Sequence, residues 1–250
     1  MLSARCRHFL ATALVSSRVV DVSGDRSDPT INARLATALN GVVLPLFGGD
    51  LRDDWCLIGH RHTERGLKQG NLIRVAEPAF AQCAIVASED GRLGFSWAGE
   101  FLPRYSGLLH FLESSSVWFS HKGWYYSDLV SLIDPEAALA ALPECEPIRE
   151  ASGEQVKWWT TGDCSIYAEP HIASPVPSPV TVTVLARSQE VALSLRGELA
   201  GKVHGQRPAW LLPRLRPVGD NHPQPPMEWG PFIEQHDGLR RFLDQDSEGN

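Results

Sequence analysis

The residues best suited to chemistry lie in one short stretch, DDWCLIGHRHTERG, at positions 53–66. It contains Cys56, His60, His62 and Glu64, and thiolate, imidazole and carboxylate groups are the ligands that zinc prefers. His60 and His62 are two positions apart, so their side chains point the same way only on a β-strand. A third ligand would come from Cys56, Glu64 or a distant residue. This pattern makes a metal-dependent hydrolase or deaminase-like enzyme one of two candidate functions, the other being a non-enzymatic binding protein.

The motifs that define those enzymes are incomplete. The metalloprotease pattern needs two histidines four positions apart on a helix, which is absent. The deaminase pattern begins with His-x-Glu, as at His62 and Glu64, but its Pro-Cys-x-x-Cys half is missing. The sequence also has no G-x-S-x-G, Walker A or G-x-G-x-x-G motif. We therefore expect a solvated polar loop at a strand end, and we assign no catalytic residue, metal or cofactor.

Aromatic residues give the stronger functional signal, since the chain has 8 tryptophans, several of them in VWFSHKGWYYSD and VKWWTTG. Tryptophan and tyrosine dominate the binding hot spots of protein interfaces. Side chains alternate along a strand, so Trp124 and Tyr126 should share one face and Tyr125 the other. We expect part of this set to be core and the exposed remainder to contact a protein partner. The interface candidates are Trp118, Trp124, Tyr125, Tyr126, Trp158 and Trp159.

Charge and cysteine content restrict the partners and the compartment. A net charge of −7 and a pI near 5.7 disfavour binding to nucleic acid and suit a basic protein partner. No stretch approaches the ~20 apolar residues of a membrane span. The 5 cysteines form no CxxC pair, which indicates reduced thiols in a cytoplasm.

The N-terminus permits two interpretations. MLSARCRHFLATALVSSRVV has basic residues and no acid, as targeting segments do, but its apolar run FLATALV is short even for a secretory signal. The alternative is an amphipathic first helix with Phe9, Leu10 and Leu14 on one face.

Local patterns predict the main elements. A helix should start at Asp28 and Pro29, followed by strands at GVVLPLF and DWCLIGH. Asp90-Gly91 predicts a β-hairpin, followed by a helix with Pro103 in its first turn that stops at the serines 114–116. Further on, Gly162-Asp163 predicts a second hairpin, and TVTVLA a strand before a helix capped by Ser188.

Together these elements predict an α+β fold. We expect a mixed or mainly antiparallel sheet from about residue 40 to 130 with helices packed on one face, and a Pro-rich C-terminal extension. The predicted domains are an α+β core over residues 1–150, a strand and helix segment over 151–202, and an extension over 203–250 that ends in a short helix.

Three segments between residues 40 and 120, WCLIGH, SEDGRLGF and PRYSGLLHFLESS, resemble the core of the SUKH immunity-protein superfamily. Those α+β proteins neutralise bacterial toxins, and the Phe-Val-Asn-Ser-Ser type of segment found in some members is FLESS here. The resemblance implies a non-enzymatic protein that binds and blocks a toxin through a complementary surface.

Overall fold

The computed structural model describes residues 2–12, 14–15, 39, 41–47, 54–58, 63–66, 70–78, 84–88, 90–97, 100–131, 136, 139, 145–170, 180–202 and 215–219. These residues form two compact units, the first ending at Ser120 and the second beginning at His121. Each unit is an antiparallel sheet with helices, so the predicted α+β class is confirmed.

The first unit contains an 8-stranded sheet in the order β1-β2-β3-β5-β6-β7-β8, with β4 paired to β5. Its strands are β1 (Leu14–Val15), β2 (Val42–Leu46), β3 (Asp54–Ile58), β4 (Thr63–Gly66), β5 (Gly70–Pro78), β6 (Ala84–Ala87), β7 (Leu93–Trp97) and β8 (Glu100–Tyr105). The predicted strands at GVVLPLF and DWCLIGH correspond to β2 and β3, which pair with each other.

The predicted hairpin at Asp90-Gly91 joins β6 to β7. Gly91 has φ 84°, a left-handed conformation that glycine adopts without steric cost. The backbone N–H of Ser88 donates to the carbonyl of Arg92 at 2.9 Å and closes the turn. This element was predictable because the turn chemistry is local.

The predicted position of Pro103 is wrong. Pro103 lies inside β8, opposite Gly94, and the register shifts between Leu93 and Gly94. A Cβ atom on Gly94 would lie 2.0 Å from the carbonyl oxygen of Leu102, so the two backbones approach closely because Gly94 has no side chain. Such an irregular position tolerates a proline, which cannot donate a ladder hydrogen bond.

Among its described residues, the first unit also has two helices, α1 (Ala4–Ala11) and α2 (Leu108–Ser120). They pack on each other, and α2 also packs on β2 and β8. The predicted stop of α2 at the serines is wrong, because the helix continues through them. The hydroxyls of Ser115 and Ser116 donate to the carbonyls of Phe111 and Glu113 at 2.8 and 2.6 Å, so their polar groups are satisfied inside the helix.

The core of this unit lies between α1, α2 and the sheet. On α1 it buries Cys6, Phe9 and Leu10, so the predicted amphipathic first helix is confirmed for Phe9 and Leu10, but Leu14 lies in β1, beyond the end of the helix. These side chains join Leu44, Ile58, Ile85, Phe95, Phe111 and Leu112 in one hydrophobic cluster.

The second unit contains a 6-stranded sheet in the order β10-β11-β12-β13-β9-β14. Its strands are β9 (Tyr125–Ser131), β10 (Glu146–Pro147), β11 (Lys157–Thr161), β12 (Cys164–Pro170), β13 (Val180–Ala186) and β14 (Arg216–Pro217). We predicted a domain boundary near residue 150 and a first sheet extending to about 130. In the structure β9 pairs with β13 and β14 instead, so it belongs to the second sheet.

The helix α3 (Gln189–Lys202) packs on β9 and β13, and Arg149–Ala151 forms a short 3₁₀-helix. The predicted cap is confirmed, because the Ser188 hydroxyl accepts the Val191 backbone N–H at 3.2 Å. The predicted hairpin at Gly162-Asp163 is also confirmed, with Gly162 at φ 54° between β11 and β12. The apolar core under α3 contains Leu129, Trp159, Ile166, Ala168, Val182, Val184 and Leu199.

Several predicted elements lie outside the described residues. They are the helix that starts at Asp28 and the Pro-rich extension apart from 215–219.

Candidate interaction surface

The six aromatic interface candidates fall into two groups by burial. Trp118 is buried on α2, and Tyr126, Trp158 and Trp159 are buried in the second unit. Their rings are therefore inaccessible to a protein partner. Trp124 and Tyr125 are only half-buried, so the prediction narrows to these two residues.

The register of the second sheet assigns its aromatic residues to two faces. Tyr125 and Trp159 lie on the face covered by α3, where Tyr125 packs against Ala186 and Ala192. Tyr126 lies on the opposite face, across from Leu185. Side-chain alternation in this strand thus places Tyr125 and Tyr126 on different faces, as predicted.

The face opposite α3 carries paired polar and aromatic side chains. The Tyr167 hydroxyl donates to Glu169 at 2.9 Å, and the Thr183 hydroxyl donates to Asp128 at 2.7 Å. Trp158 is 0% exposed and its ring lies 4.6 Å from that of Tyr167. Because a buried polar group is costly without a partner, these pairs stabilise the face.

On the described part of this face, His121 and Ser165 form an arrangement that suggests catalysis. His121 Nε2 lies 2.8 Å from the Ser165 Oγ, a distance found between a catalytic base and its nucleophile. However, Ser165 is 2% exposed and His121 is 7% exposed. A substrate cannot reach a hydroxyl at that depth, so the pair acts as a buried structural contact.

Trp124 is held in place from several directions. The His121 ring meets it edge to face at a centroid distance of 4.3 Å, and the Arg187 guanidinium lies 5.0 Å from the Trp124 ring centroid. Its carbonyl accepts the Val218 backbone N–H at 2.7 Å, and the Gly123 N–H donates to the Val218 carbonyl at 3.0 Å. The indole is thus a partly exposed ring in a fixed position.

The residues around Trp124 come from separate parts of the chain but reach the same end of the sheet. Cys164 pairs with Ala186, which pairs with Tyr125, so the residues just beyond this row lie together. They are Asp163, Arg187 and Trp124. Tight turns supply them, with Gly123 at φ 84° next to Trp124 and Gly162 at φ 54° next to Asp163.

Arg187 and Asp163 place opposite charges beside the indole. Arg187 Nε lies 3.6 Å from the Asp163 carboxylate, and these side chains are 70% and 84% exposed. Lys122 and Arg216 are also exposed. Arg216 pairs with Tyr126 on the edge strand β14, which places it on the same face as Leu185. We call the set formed by Trp124, Asp163 and Arg187 the Trp124 surface.

Sequence patterns identified Trp124 but missed the charged members of this surface. Arg187 follows a predicted strand and Asp163 lies in a predicted turn, so the sequence patterns gave neither residue a role in binding. The sequence signal that could have identified them was the position of each charged residue directly after a predicted strand or in a predicted turn. Their proximity depends on strand pairing, which the sequence patterns did not determine.

The histidine cluster cannot be assembled from the described residues. His60 and His62 lie outside them, and the side chain of Glu64 on β4 is also not described. Cys56 is buried on β3 within the apolar core of the first unit. In the described part of the chain, no group of three or more His, Cys, Asp or Glu side chains could hold a metal ion.

The cysteines are thiols at four described positions, Cys6, Cys56, Cys145 and Cys164. Burial raises the pKa of the Cys145 thiol to about 11 and also raises the pKa of Cys164. A high pKa reduces the thiolate fraction at neutral pH, so these two residues are poor nucleophiles.

Comparisons with protein-family models, curated proteins and solved structures gave no match to this chain. The helices of the described residues lack the combined length and hydropathy of a membrane span.

Proposed function

We propose that this protein is a non-enzymatic binding protein, an immunity-like factor that binds and neutralises a bacterial toxin in the cytoplasm. The observation that carries the proposal is the fixed, half-buried ring of Trp124 at the end of the second sheet. The resemblance to SUKH proteins in the first unit supports the choice of a toxin as the partner.

The physical argument concerns the cost of binding. Ordering a mobile side chain at an interface costs about 0.5–1.5 kcal/mol. His121, Arg187 and the backbone pairing to Val218 already hold Trp124, so little of that cost remains. The exposed part of the indole still offers apolar area to a partner. These are the properties of a hot-spot aromatic residue.

The experiment uses the full-length protein and the C-terminal domain of a toxin encoded beside its gene. Co-expression should protect cells from that domain, and calorimetry should detect a complex. Trp124→Ala should raise the Kd by roughly thirty-fold or more, because truncating a hot-spot aromatic costs at least ~2 kcal/mol.

Leu193→Ala is the matched control. Leu193 is a large apolar residue, 40% exposed, on α3, which covers the opposite face of the sheet. This variant should bind as the wild type does, and thermal unfolding should show that both variants are folded. A folded Trp124→Ala protein with wild-type affinity and protection would contradict the proposal.

A further inference from the structure

We infer that the Trp124 surface binds an arginine side chain of a partner protein, and that Arg187 occupies the same position in the free protein. In the complex, the partner guanidinium stacks on the indole and pairs with the Asp163 carboxylate. This inference rests on the proposed binding role of Trp124 and adds the residue type that the surface recognises. It agrees with the basic partner that the net charge of −7 favours.

The Arg187 side chain shows how a guanidinium fits between the ring and the carboxylate. Its Cζ atom lies over the Trp124 ring, 5.0 Å from the centroid, and its Nε lies 3.6 Å from an Asp163 oxygen. Stacking on an aromatic face and pairing with a carboxylate are the two contacts that suit a guanidinium best. The Trp124 surface therefore has the chemistry of an arginine site, with Arg187 as its internal ligand.

Arg187 is held weakly in this position. The side chains of Arg187 and Asp163 are 70% and 84% exposed, so water screens their attraction. Their separation of 3.6 Å is too long for a hydrogen bond, and among the described residues no cation lies closer to Asp163. The carboxylate can therefore accept hydrogen bonds from an incoming side chain.

A partner arginine can make the contact that Arg187 lacks. Arg187 is tethered to the end of β13, whereas a side chain from outside can approach Asp163 end-on and donate two parallel hydrogen bonds. Exchange of one guanidinium for another preserves the stacking on Trp124. His121 and the backbone pairing to Val218 keep the indole in place when Arg187 leaves.

The competing occupant is a carboxylate that binds Arg187 while Arg187 stays on the ring. The Asp163 carboxylate lies beside Arg187 and repels such a ligand, which favours the arginine. The two arrangements also differ in the effect of removing Arg187. An arginine ligand then binds more tightly, because its competitor is gone, whereas an acidic ligand loses its main contact.

The test is an NMR titration of the full-length ¹⁵N-labelled protein with blocked tripeptides, acetyl-Gly-X-Gly-amide, in which X is arginine, citrulline or lysine. The indole N–H signal of Trp124, identified by its loss in Trp124→Phe, reports binding at the site. The arginine peptide should shift this signal with a Kd in the millimolar range. Citrulline has the same shape without the charge and should not bind, and lysine should bind more weakly because it lacks the planar fork.

Arg187→Ala should tighten binding of the arginine peptide about three- to ten-fold, because the site is no longer occupied internally. Arg187→Gln keeps the side-chain stem without the charge and should give the same gain, which covers any loss of folding in the alanine variant. Asp163→Asn should weaken binding about ten-fold, because the amide offers one acceptor oxygen and no charge. Thermal unfolding shows whether the variants are folded.

Lys202→Ala is the matched control for the loss of Arg187. It removes an exposed cation that pairs with Glu198 on α3, so it changes the net charge of the chain by the same amount. It should bind the arginine peptide as the wild type does. In the toxin complex, Arg187→Ala should also lower the Kd, and Lys202→Ala should leave it unchanged.

Four results would overturn the inference. They are no shift of the Trp124 signal, weaker binding of the arginine peptide to the Arg187 variants, an equal gain in Lys202→Ala, and binding of the citrulline or lysine peptide as tight as that of arginine. Arginine binding at Trp124 without neutralisation of the neighbouring toxin would refute only the proposed immunity role. Neutralisation without arginine binding would refute only this inference, so the two proposals can fail separately.

Discussion

Glu113 on α2 accepts two hydrogen bonds from Ser3, which lies 110 positions earlier at the start of α1. The backbone N–H of Ser3 donates at 2.7 Å and its hydroxyl at 2.6 Å, one to each carboxylate oxygen. The same hydroxyl accepts the Cys6 N–H at 3.1 Å and caps α1. Glu113 is 2% exposed, so one buried carboxylate joins the two helices.

Glu113→Gln should lower the free energy of unfolding by about 1–3 kcal/mol. The amide presents an NH₂ group to one of two donors, which leaves a buried polar group without its acceptor. Urea unfolding followed by circular dichroism measures the change. Glu198→Gln, at an exposed pair with Lys202, should change stability by less than ~0.5 kcal/mol. Equal effects of the two substitutions would contradict the role given to Glu113.

Two glycine-to-alanine substitutions should change stability in opposite directions. At Gly94 the added Cβ would lie 2.0 Å from the Leu102 carbonyl oxygen, so β7 and β8 must separate and we expect a loss above ~2 kcal/mol. At Gly197, in the exposed interior of α3, the Cβ meets no atom within 4 Å. Gly197→Ala should therefore stabilise by about 0.5–1 kcal/mol. A melting temperature of Gly94→Ala at or above that of the wild type would show that the close approach at Gly94 is wrong.

Asp90 should stabilise the folded protein at neutral pH, and this contribution should disappear at acidic pH. The hydrogen bond from the Ser88 hydroxyl lowers the pKa of Asp90, and contacts with Arg92 act in the same direction. Because the pKa is lower in the folded state, ionised Asp90 adds to the free energy of unfolding at pH values above the unfolded-state pKa of ~3.9. This contribution is lost as the pH falls through the folded-state pKa.

Asp90→Asn keeps the Asx-Gly turn, removes the charge and replaces one of the two accepting oxygens by an NH₂ group. We expect a loss below ~0.5 kcal/mol at pH 7, because the group is exposed, and a smaller difference from wild type below about pH 4. Thermal unfolding at a series of pH values measures it. A difference that grows on acidification would contradict the direction of the pKa change.

Cys145 should react slowly with iodoacetamide. Its pKa of about 11 leaves little thiolate at pH 8, and we expect alkylation to be ten-fold or more slower than for an unfolded cysteine. Peptide mass spectrometry follows the residue, and Cys145→Ser identifies the peptide. The rate should rise when the chain is unfolded in urea. Equally fast labelling of the folded protein would contradict the buried position of this thiol.

The sequence by itself determined the elements that depend on local chemistry. The hairpins at Asp90-Gly91 and Gly162-Asp163 and the helix capped by Ser188 follow from residues that are adjacent in the chain. A glycine with positive φ or a capping hydroxyl needs no distant partner. The alternation of Tyr125 and Tyr126 is equally local, because it follows from the geometry of one strand. The α+β class rests on the sum of such elements.

Only the tertiary structure decided which elements meet. The strand that starts at Tyr125 pairs with β13, and the Thr183 hydroxyl bonds to Asp128 across 55 positions of sequence. No local pattern encodes that choice, so the predicted boundary and sheet differ from the observed ones. The same pairing buries Trp158, leaves Trp124 half-buried, and brings Arg187 and Asp163 beside it. Burial and local charge arise from contacts between distant segments, and residue type and spacing do not specify those contacts.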